Sequence, residues 1–119
     1  MPAANPLHYL EIVTTEVDAV CAVHEATGSG SFGPPVAELG GARVCQMADG
    51  TRLGVRAPLH AQELPLQRAY RLVADLAAAV SACADQGAVI ALPALEIPGQ
   101  GRIAICQLGG IELGFWELP

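Results

Sequence analysis

The sequence predicts an α+β fold made of two similar modules, because one order of strands, helix and turns occurs twice in 119 residues. The acidic residues that precede the two predicted helices, Glu16 and Asp75, are 59 residues apart. Gly28 and Gly87, which end those helices, have the same separation. A repeat of this length is typical of duplicated units, and such units commonly form a cleft where they face each other.

Composition narrows the class of protein. Hydrophobic residues make up 52% of the chain and charged residues 15%, which is typical of a folded chain. No apolar run approaches the roughly 20 residues that a membrane-spanning helix needs, and Met1–Pro6 lacks the basic start and apolar core of a signal peptide. The net charge of −6 argues against a nucleic-acid surface. We therefore expect a cytoplasmic protein with neither a membrane nor a nucleic acid as partner.

The four cysteines do not form a recognisable metal or redox motif, because no two of them have Cys-x-x-Cys spacing. Two fall on the apolar faces of the predicted helices and two in strand-like runs. This placement predicts buried thiols in a reducing compartment. The cysteines are Cys21, Cys45, Cys83 and Cys106.

The first module, residues 7–57, follows from hydrophobic periodicity. Strands are predicted where β-branched and aromatic residues concentrate, and the helix where apolar residues recur at helical spacing. Thr15 is the predicted N-cap, with Asp18 as its capping-box partner, and Asp49-Gly50 predicts a hairpin turn. The predicted elements are a strand at 7–14, a helix from Val17 to the Gly28 stop, a short strand at 36–39, and strands at 42–48 and 51–56.

The second module, residues 66–118, repeats that order after a linker at 58–65. Asp75 is the predicted cap of its helix, and Pro93 within a strand indicates a sheet edge or a bulge. Each module is therefore predicted to be β-α-β-β-β. The predicted elements are a strand at 66–73, a helix from Leu76 to the Gly87 stop, and strands at 88–97, 102–108 and 111–118.

Three segments carry a resemblance to a known family: Tyr9–Glu16, Val73–Leu76 and the closing Gly110–Glu117. In their order and spacing they resemble the vicinal oxygen chelate superfamily, which includes glyoxalase I, bleomycin-resistance proteins and extradiol dioxygenases. The resemblance covers almost the whole chain. It implies that the two modules pair their sheets into an incomplete barrel around a cleft, with the helices outside.

On that fold, strand alternation assigns side chains to the cleft or to the helix side. Leu10 and Ile12 are expected to face the helix. Charged residues in a partly buried cleft must pair or meet a ligand, so two interpretations stay open. Glu11 and Arg68 can pair internally; alternatively, the arginines bind a carboxylate or phosphate, with aromatic rings as flat walls. The candidate ligand-binding residues are Tyr9, Glu11, Arg52, Arg56, Arg68, Tyr70, Glu112 and Trp116.

Metal-dependent members of the superfamily hold a divalent ion with His, Gln or Glu at four strand positions. By the resemblance, the matching positions are Tyr9, Gly54, Arg68 and Gly114. None is a good ligand for a divalent cation, so no cofactor is expected. The remaining route to a metal site is a register shift that puts His8 in the place of Tyr9, where it would join Glu11 or Glu112.

These observations leave three functional hypotheses. The first is a metal-independent small-molecule binding protein, a homodimer, that uses the cleft between the modules. The second is an enzyme of the same superfamily, a lyase, isomerase or dioxygenase, with a divalent metal in a non-standard site or with Glu11 as general base. The third is a protein whose cleft has closed and whose role is assembly.

Overall fold

The computed structural model describes residues 6–119, so the segment Met1–Asn5, on which the prediction of no signal peptide mainly rests, lies outside the described residues. The described chain is α+β, as predicted, and none of its helices is long and apolar enough to cross a membrane. Its elements are β1 (Leu7–Val13), α1 (Val17–Ala26), a 3₁₀ turn (Ala37–Leu39), β2 (Arg43–Gln46), β3 (Arg52–Arg56), β4 (Leu66–Leu72), α2 (Leu76–Asp85), β5 (Val89–Ile97), β6 (Gly101–Leu108) and β7 (Ile111–Glu117).

The chain divides into two compact units. The first unit is Tyr9–Arg68, and the second unit contains Ala69–Pro119 together with residues 6–8. The predicted modules, 7–57 and 66–118, were defined by the sequence repeat and not by contacts. The bounds of the modules and of the linker therefore stay a prediction.

In the first unit, β3 is the central strand, parallel to β1 and antiparallel to β2. Glu11 lies beside Gly54 in this register. Leu10 and Ile12, on the other face of β1, pack in an apolar core with residues of α1, which confirms the predicted alternation. The buried members of that core are Ile12, Cys21, Phe32, Cys45, Leu53 and Val55.

One predicted strand of the first module is wrong. Ala37–Leu39 form a 3₁₀ turn, and Val36 makes only an isolated bridge with Ala42. The turn ends at Gly40, whose φ of 70° is left-handed and cannot continue a strand. The first module is therefore β-α-β-β, whereas the second has all three strands after its helix.

The second unit has the strand order β4-β7-β6-β5, in which only β4 and β7 are parallel. Tyr70 lies beside Gly114 in the parallel pair, as Glu11 lies beside Gly54 in the first unit. The strand before the helix thus pairs in parallel with the last strand of the module in both units. The predicted irregularity at Pro93 is confirmed, because the pairing of β5 with β6 shifts register on both sides of Leu92.

The two helices begin differently. Asp75 caps α2 as predicted, because its carboxylate accepts a hydrogen bond from a backbone N–H of the first turn at 3.1 Å. The predicted cap at Thr15 is wrong: α1 begins after Glu16, and no side chain caps it. Asp18 instead accepts a hydrogen bond from Arg43 at 2.9 Å, so the carboxylate that was to complete a capping box ties the helix to β2.

Candidate functional site

Three residues predicted for the site meet in the first unit. Glu11 accepts a hydrogen bond from Nε of Arg56 at 2.8 Å on one carboxylate oxygen and from Arg68 on the other. The three side chains are 12%, 6% and 10% exposed, in the order Glu11, Arg56, Arg68. The predicted pairing of Glu11 with Arg68 is present. A carboxylate whose two oxygens both accept bonds from arginines is a weak general base.

Glu63 completes this ion-pair cluster, although the sequence had placed it in the linker and not in the site. Its carboxylate accepts hydrogen bonds from both terminal nitrogens of Arg56, at 2.9 and 2.8 Å, and from the backbone N–H of Leu59 at 2.7 Å. The bonds from Arg56 lower the pKa of Glu63 to about 2. They also raise the pKa of Arg56.

The ion-pair cluster, defined as Glu11, Arg56, Glu63 and Arg68, is electrically balanced. Arg56 donates a fourth hydrogen bond, from one of its terminal nitrogens to the carbonyl of Ala57 at 3.2 Å. A charge count could have predicted Glu63: two arginines on one buried face require more than one acidic partner.

Tyr9 and Arg52 form a second pair in the first unit. The guanidinium carbon of Arg52 lies 5.8 Å from the centre of the Tyr9 ring, within the range of a cation–π interaction. Tyr9 is 3% exposed, and this burial, followed by the Glu11 carboxylate, raises the pKa of its hydroxyl. A Cβ built on Gly54 would overlap that hydroxyl, so the Tyr9 side chain fills the space that Gly54 leaves open.

An aromatic group occupies the corresponding face of the second unit. The ring of Trp116 meets the rings of Tyr70 and His8 edge-on, with centres 5.6 and 5.1 Å apart, and its Nε1 donates to the carbonyl of Gln100 at 2.9 Å. Trp116 and Tyr70 are almost fully buried. A Cβ on Gly114 would come 2.6 Å from Cδ2 of Tyr70, so Tyr70 covers Gly114 as Tyr9 covers Gly54.

Glu112 lies at the β6–β7 hairpin, where its carboxylate accepts a hydrogen bond from Gln107 at 3.2 Å. It lines an open cavity of about 510 Å³ beside the turn at Gly109 and Gly110. The predicted residues therefore lie at four places. They are Glu11 with Arg56 and Arg68; Tyr9 with Arg52; and, in the second unit, Tyr70 with Trp116, and Glu112 at the hairpin.

The four positions that the resemblance matches to metal ligands do not suit a divalent ion in this structure. Tyr9 is a buried, protonated phenol, and Arg68 is a cation. Gly54 and Gly114 supply no donor, and tyrosine rings fill the space above them. A divalent ion needs deprotonated or neutral donors.

The alternative metal pair, His8 and Glu112, gains no third ligand. His8 packs against Trp116, and Glu112 bonds Gln107. Across residues 6–119, no three His, Cys, Asp or Glu side chains are grouped closely enough to hold a metal ion.

Comparisons with known proteins gave matches only among solved structures; no protein-family model and no curated protein matches the sequence. Methylmalonyl-CoA epimerase from Mycobacterium tuberculosis aligns with 100% of this chain and 93% of its own, with a TM-score of 0.76 and 16% identity. A hypothetical protein from Bacillus halodurans C-125 aligns over 98% and 96%, with a TM-score of 0.77 and 11% identity.

Methylmalonyl-CoA epimerase from Streptomyces coelicolor, in complex with 2-nitronate-propionyl-CoA, aligns with 98% of this chain and 96% of its own. The TM-score is 0.68 and the identity 15%. Methylmalonyl-CoA epimerase is a member of the vicinal oxygen chelate superfamily. This chain has the vicinal oxygen chelate fold. The predicted superfamily resemblance is thereby confirmed at the level of the fold. At these sequence identities the likeness shows a shared fold and not a shared activity.

Proposed function

We propose that this protein binds a small polar molecule without a resident metal ion, through the face of the first unit that carries Tyr9, Arg52 and the ion-pair cluster. The observation that supports this most is the replacement of the metal ligands. Tyrosine, arginine and glycine stand at the four positions, and two tyrosine rings take up the space that ligands would need. The side chains at these four positions suit the recognition of a polar molecule better than the binding of a metal ion.

Charge favours an anionic ligand. This face carries the guanidinium groups of Arg52, Arg56 and Arg68. A guanidinium binds a carboxylate or phosphate with two parallel hydrogen bonds. The ring of Tyr9 holds the Arg52 guanidinium through the cation–π contact. We therefore propose a small carboxylate or phosphate as the ligand class, and an amine held by Glu11 only if an arginine moves away.

An enzyme is the second candidate, because two of the structures described above are methylmalonyl-CoA epimerases. The reaction to test is epimerisation of a CoA thioester, with a metal in a non-standard site or Glu11 as base. For Glu11 to accept a proton, substrate binding would first have to release it from Arg56 or Arg68. The balanced ion pairs make this the weaker proposal.

One experiment separates the two candidates. Protein purified without chelator is analysed for metals, and methylmalonyl-CoA and 2-nitronate-propionyl-CoA are titrated calorimetrically before and after EDTA treatment. The binding proposal expects substoichiometric metal, affinities that EDTA does not change, and no epimerisation. Stoichiometric Fe, Zn, Ni or Mn, or turnover that EDTA abolishes, contradicts it. If neither thioester binds, thermal stabilisation by a panel of small carboxylates and phosphates is measured, and no response supports an assembly role.

A matched pair of variants locates the ligand. Arg52→Gln removes the proposed anion contact and is expected to weaken binding about tenfold, the usual scale for a charged hydrogen bond. Arg43→Gln is the control, because Arg43 pairs with the exposed carboxylate of Asp18 on the helix side. Equal affinities for the two variants would place the ligand elsewhere.

We also propose a homodimer and a cytoplasmic location. Strand β5 ends the sheet of the second unit and exposes apolar side chains, including Val89 and Leu95, which favours association with another copy. The four cysteines are free thiols, as suits a reducing compartment. Light scattering that gives a single species of 12.3 kDa would contradict the dimer. Fractionation of the source cells tests the location.

A further inference from the structure

A cavity of about 360 Å³ opens between α2 and the sheet of the second unit. It lies on the helix side, opposite the face that carries Tyr70 and Trp116. Its walls are mostly apolar, with Gln86 and Arg71 as polar side chains, and no acidic side chain lines it. The lining includes Arg71, Val73, Ala79, Cys83, Leu113 and Phe115.

Arg71 gives this cavity a single positive charge. Its guanidinium carbon lies 5.6 Å from the centre of the Phe115 ring, its neighbour across β4 and β7. Ion pairs with a carboxylate are formed by Arg43, Arg56, Arg68 and Arg102, whereas Arg71 forms none with residues 6–119. The guanidinium therefore stands over an apolar wall with its hydrogen-bond donors directed to no acidic side chain of the described chain.

The repeat supplies an internal comparison. His24 corresponds to Cys83 at the offset of 59 residues, and its ring packs against Phe32, with centres 6.2 Å apart. Phe32 is buried in the first core and comes from the long connection between α1 and β2. In the second unit only residues 86–88 connect α2 to β5, so no equivalent aromatic side chain can enter. The space between helix and sheet is thus filled by Phe32 in the first module, whereas the equivalent space in the second module is open.

We propose that this cavity binds a medium-length alkyl carboxylate, with the chain along Ala79, Leu113 and Phe115 and the carboxylate on Arg71. Pockets for small ligands begin at roughly 300 Å³ and are mostly apolar with a few polar groups, and this cavity meets both conditions. The absence of acidic side chains from its lining selects against an amine. This is a second site, formed entirely by the second unit and separate from the face proposed above.

Cys83 provides a built-in reporter. It is half-buried and lines the cavity, whereas the other three cysteines are at most 1% exposed. A thiol reagent should therefore reach Cys83 first. A ligand in the cavity should slow that reaction without any change elsewhere in the protein.

Octanoate, kept below its micelle-forming concentration, is the probe. Binding is measured by calorimetry, and alkylation of Cys83 by iodoacetamide is followed by mass spectrometry on the wild-type protein. Octanoate is expected to bind and to protect Cys83, and hexanoate to bind about an order of magnitude more weakly, since each buried methylene contributes roughly fourfold in affinity. Octylamine tests the charge and acetate tests the chain; neither is expected to protect.

Three variants test the geometry. Arg71→Gln should lower the affinity for octanoate about tenfold and leave that for octan-1-ol unchanged. Ala82→Leu places a larger side chain in the lining and should abolish binding. Ala77→Leu is the matched control, because Ala77 is an exposed residue of the same helix outside the lining. All three positions are exposed, so circular dichroism should show native folding.

Two results would overturn the proposal. One is equal protection of Cys83 by octanoate and octylamine. The other is wild-type octanoate binding in Ala82→Leu. If protection of Cys83 instead rises with protein concentration in the absence of any probe, a second copy of the chain covers the cavity and the alkyl carboxylate is not its occupant.

Discussion

Glu11 and Arg56 form a salt bridge of 2.8 Å between neighbouring strands of the first unit, and both side chains are nearly buried. Burying two charges costs several kcal/mol, which their attraction returns only when the remaining hydrogen-bonding groups are also satisfied. Here Glu63 accepts hydrogen bonds from both terminal nitrogens of Arg56. The consequence is a set of charges that stabilises the fold only when it is complete.

Removal of one member should therefore be more harmful than its contact area suggests. Glu11→Ala leaves Arg56 and Arg68 without their shared acceptor, and we expect a loss of about 3 kcal/mol in the free energy of unfolding. Urea unfolding at neutral pH measures it. Asp18→Ala, which breaks the exposed pair with Arg43, is the control and should cost less than about 1 kcal/mol. Equal losses would mean that the Glu11 cluster is solvated.

Stability should fall in acid through Glu63. Its pKa is about 2 in the fold against 4.5 ordinarily, because Arg56 hydrogen-bonds the charged form. The unfolded chain binds the proton first, so the stabilisation is complete above about pH 4.5 and is lost as the pH falls toward 2. We expect Glu63→Gln to lose less stability than the wild type between about pH 6 and about pH 3, by about 1–2 kcal/mol after screening.

Urea unfolding at both pH values gives this difference. Glu38→Gln, an exposed change in the 3₁₀ turn, should behave like the wild type. Parallel pH curves for the wild type and Glu63→Gln would show that Glu63 is not held by Arg56 in solution.

The space over Gly54 should tolerate no side chain while Tyr9 is present. A Cβ there would overlap the Tyr9 hydroxyl, so Gly54→Ala should destabilise the fold by about 1–3 kcal/mol. Gly33→Ala is the matched control, because its Cβ would meet only one backbone oxygen at 3.9 Å. In a double-mutant cycle, Tyr9→Ala should remove most of the cost of Gly54→Ala. Additive effects would contradict the overlap.

The thiols should differ in reactivity with pH. Burial, followed by a hydrogen bond with Cys83, raises the pKa of Cys106 to about 11. Since the thiolate is the reactive form, alkylation of Cys106 should keep accelerating between about pH 7 and about pH 10, and it should remain slower than that of Cys83. Mass spectrometry of labelled peptides measures both rates. Similar alkylation rates for Cys83 and Cys106 are expected in denaturant. If the rates were also similar in the native protein, Cys106 would not be buried as described.

Sequence periodicity predicted the faces of the strands well. Leu10 and Ile12 are in the core and Glu11 is on the opposite face, because alternation in a strand is a local property. The duplicated order of elements likewise predicted the fold, since hydrophobic pattern and turn residues act over short distances. The Glu11–Arg68 pair followed from the repeat.

The missed features depend on contacts that no local pattern describes. Glu63 reaches Arg56 because residues 57–65 turn back toward β3, a return set by hydrogen bonds such as that from Leu59. The strand predicted at 36–39 was wrong although the sequence carried a local signal against it, the glycine pair Gly40 and Gly41. Both glycines adopt positive φ, which favours a tight turn over an extended strand.

The tyrosine rings over Gly54 and Gly114 also constrain how this chain can change in evolution. A histidine or glutamate introduced at either glycine would collide with the ring, so such a substitution needs a smaller residue at Tyr9 or Tyr70 first. That first step on its own would open a void in a buried region and destabilise the protein. The residues of each glycine–tyrosine pair are therefore coupled, and a side chain at the glycine requires a change at the tyrosine as well.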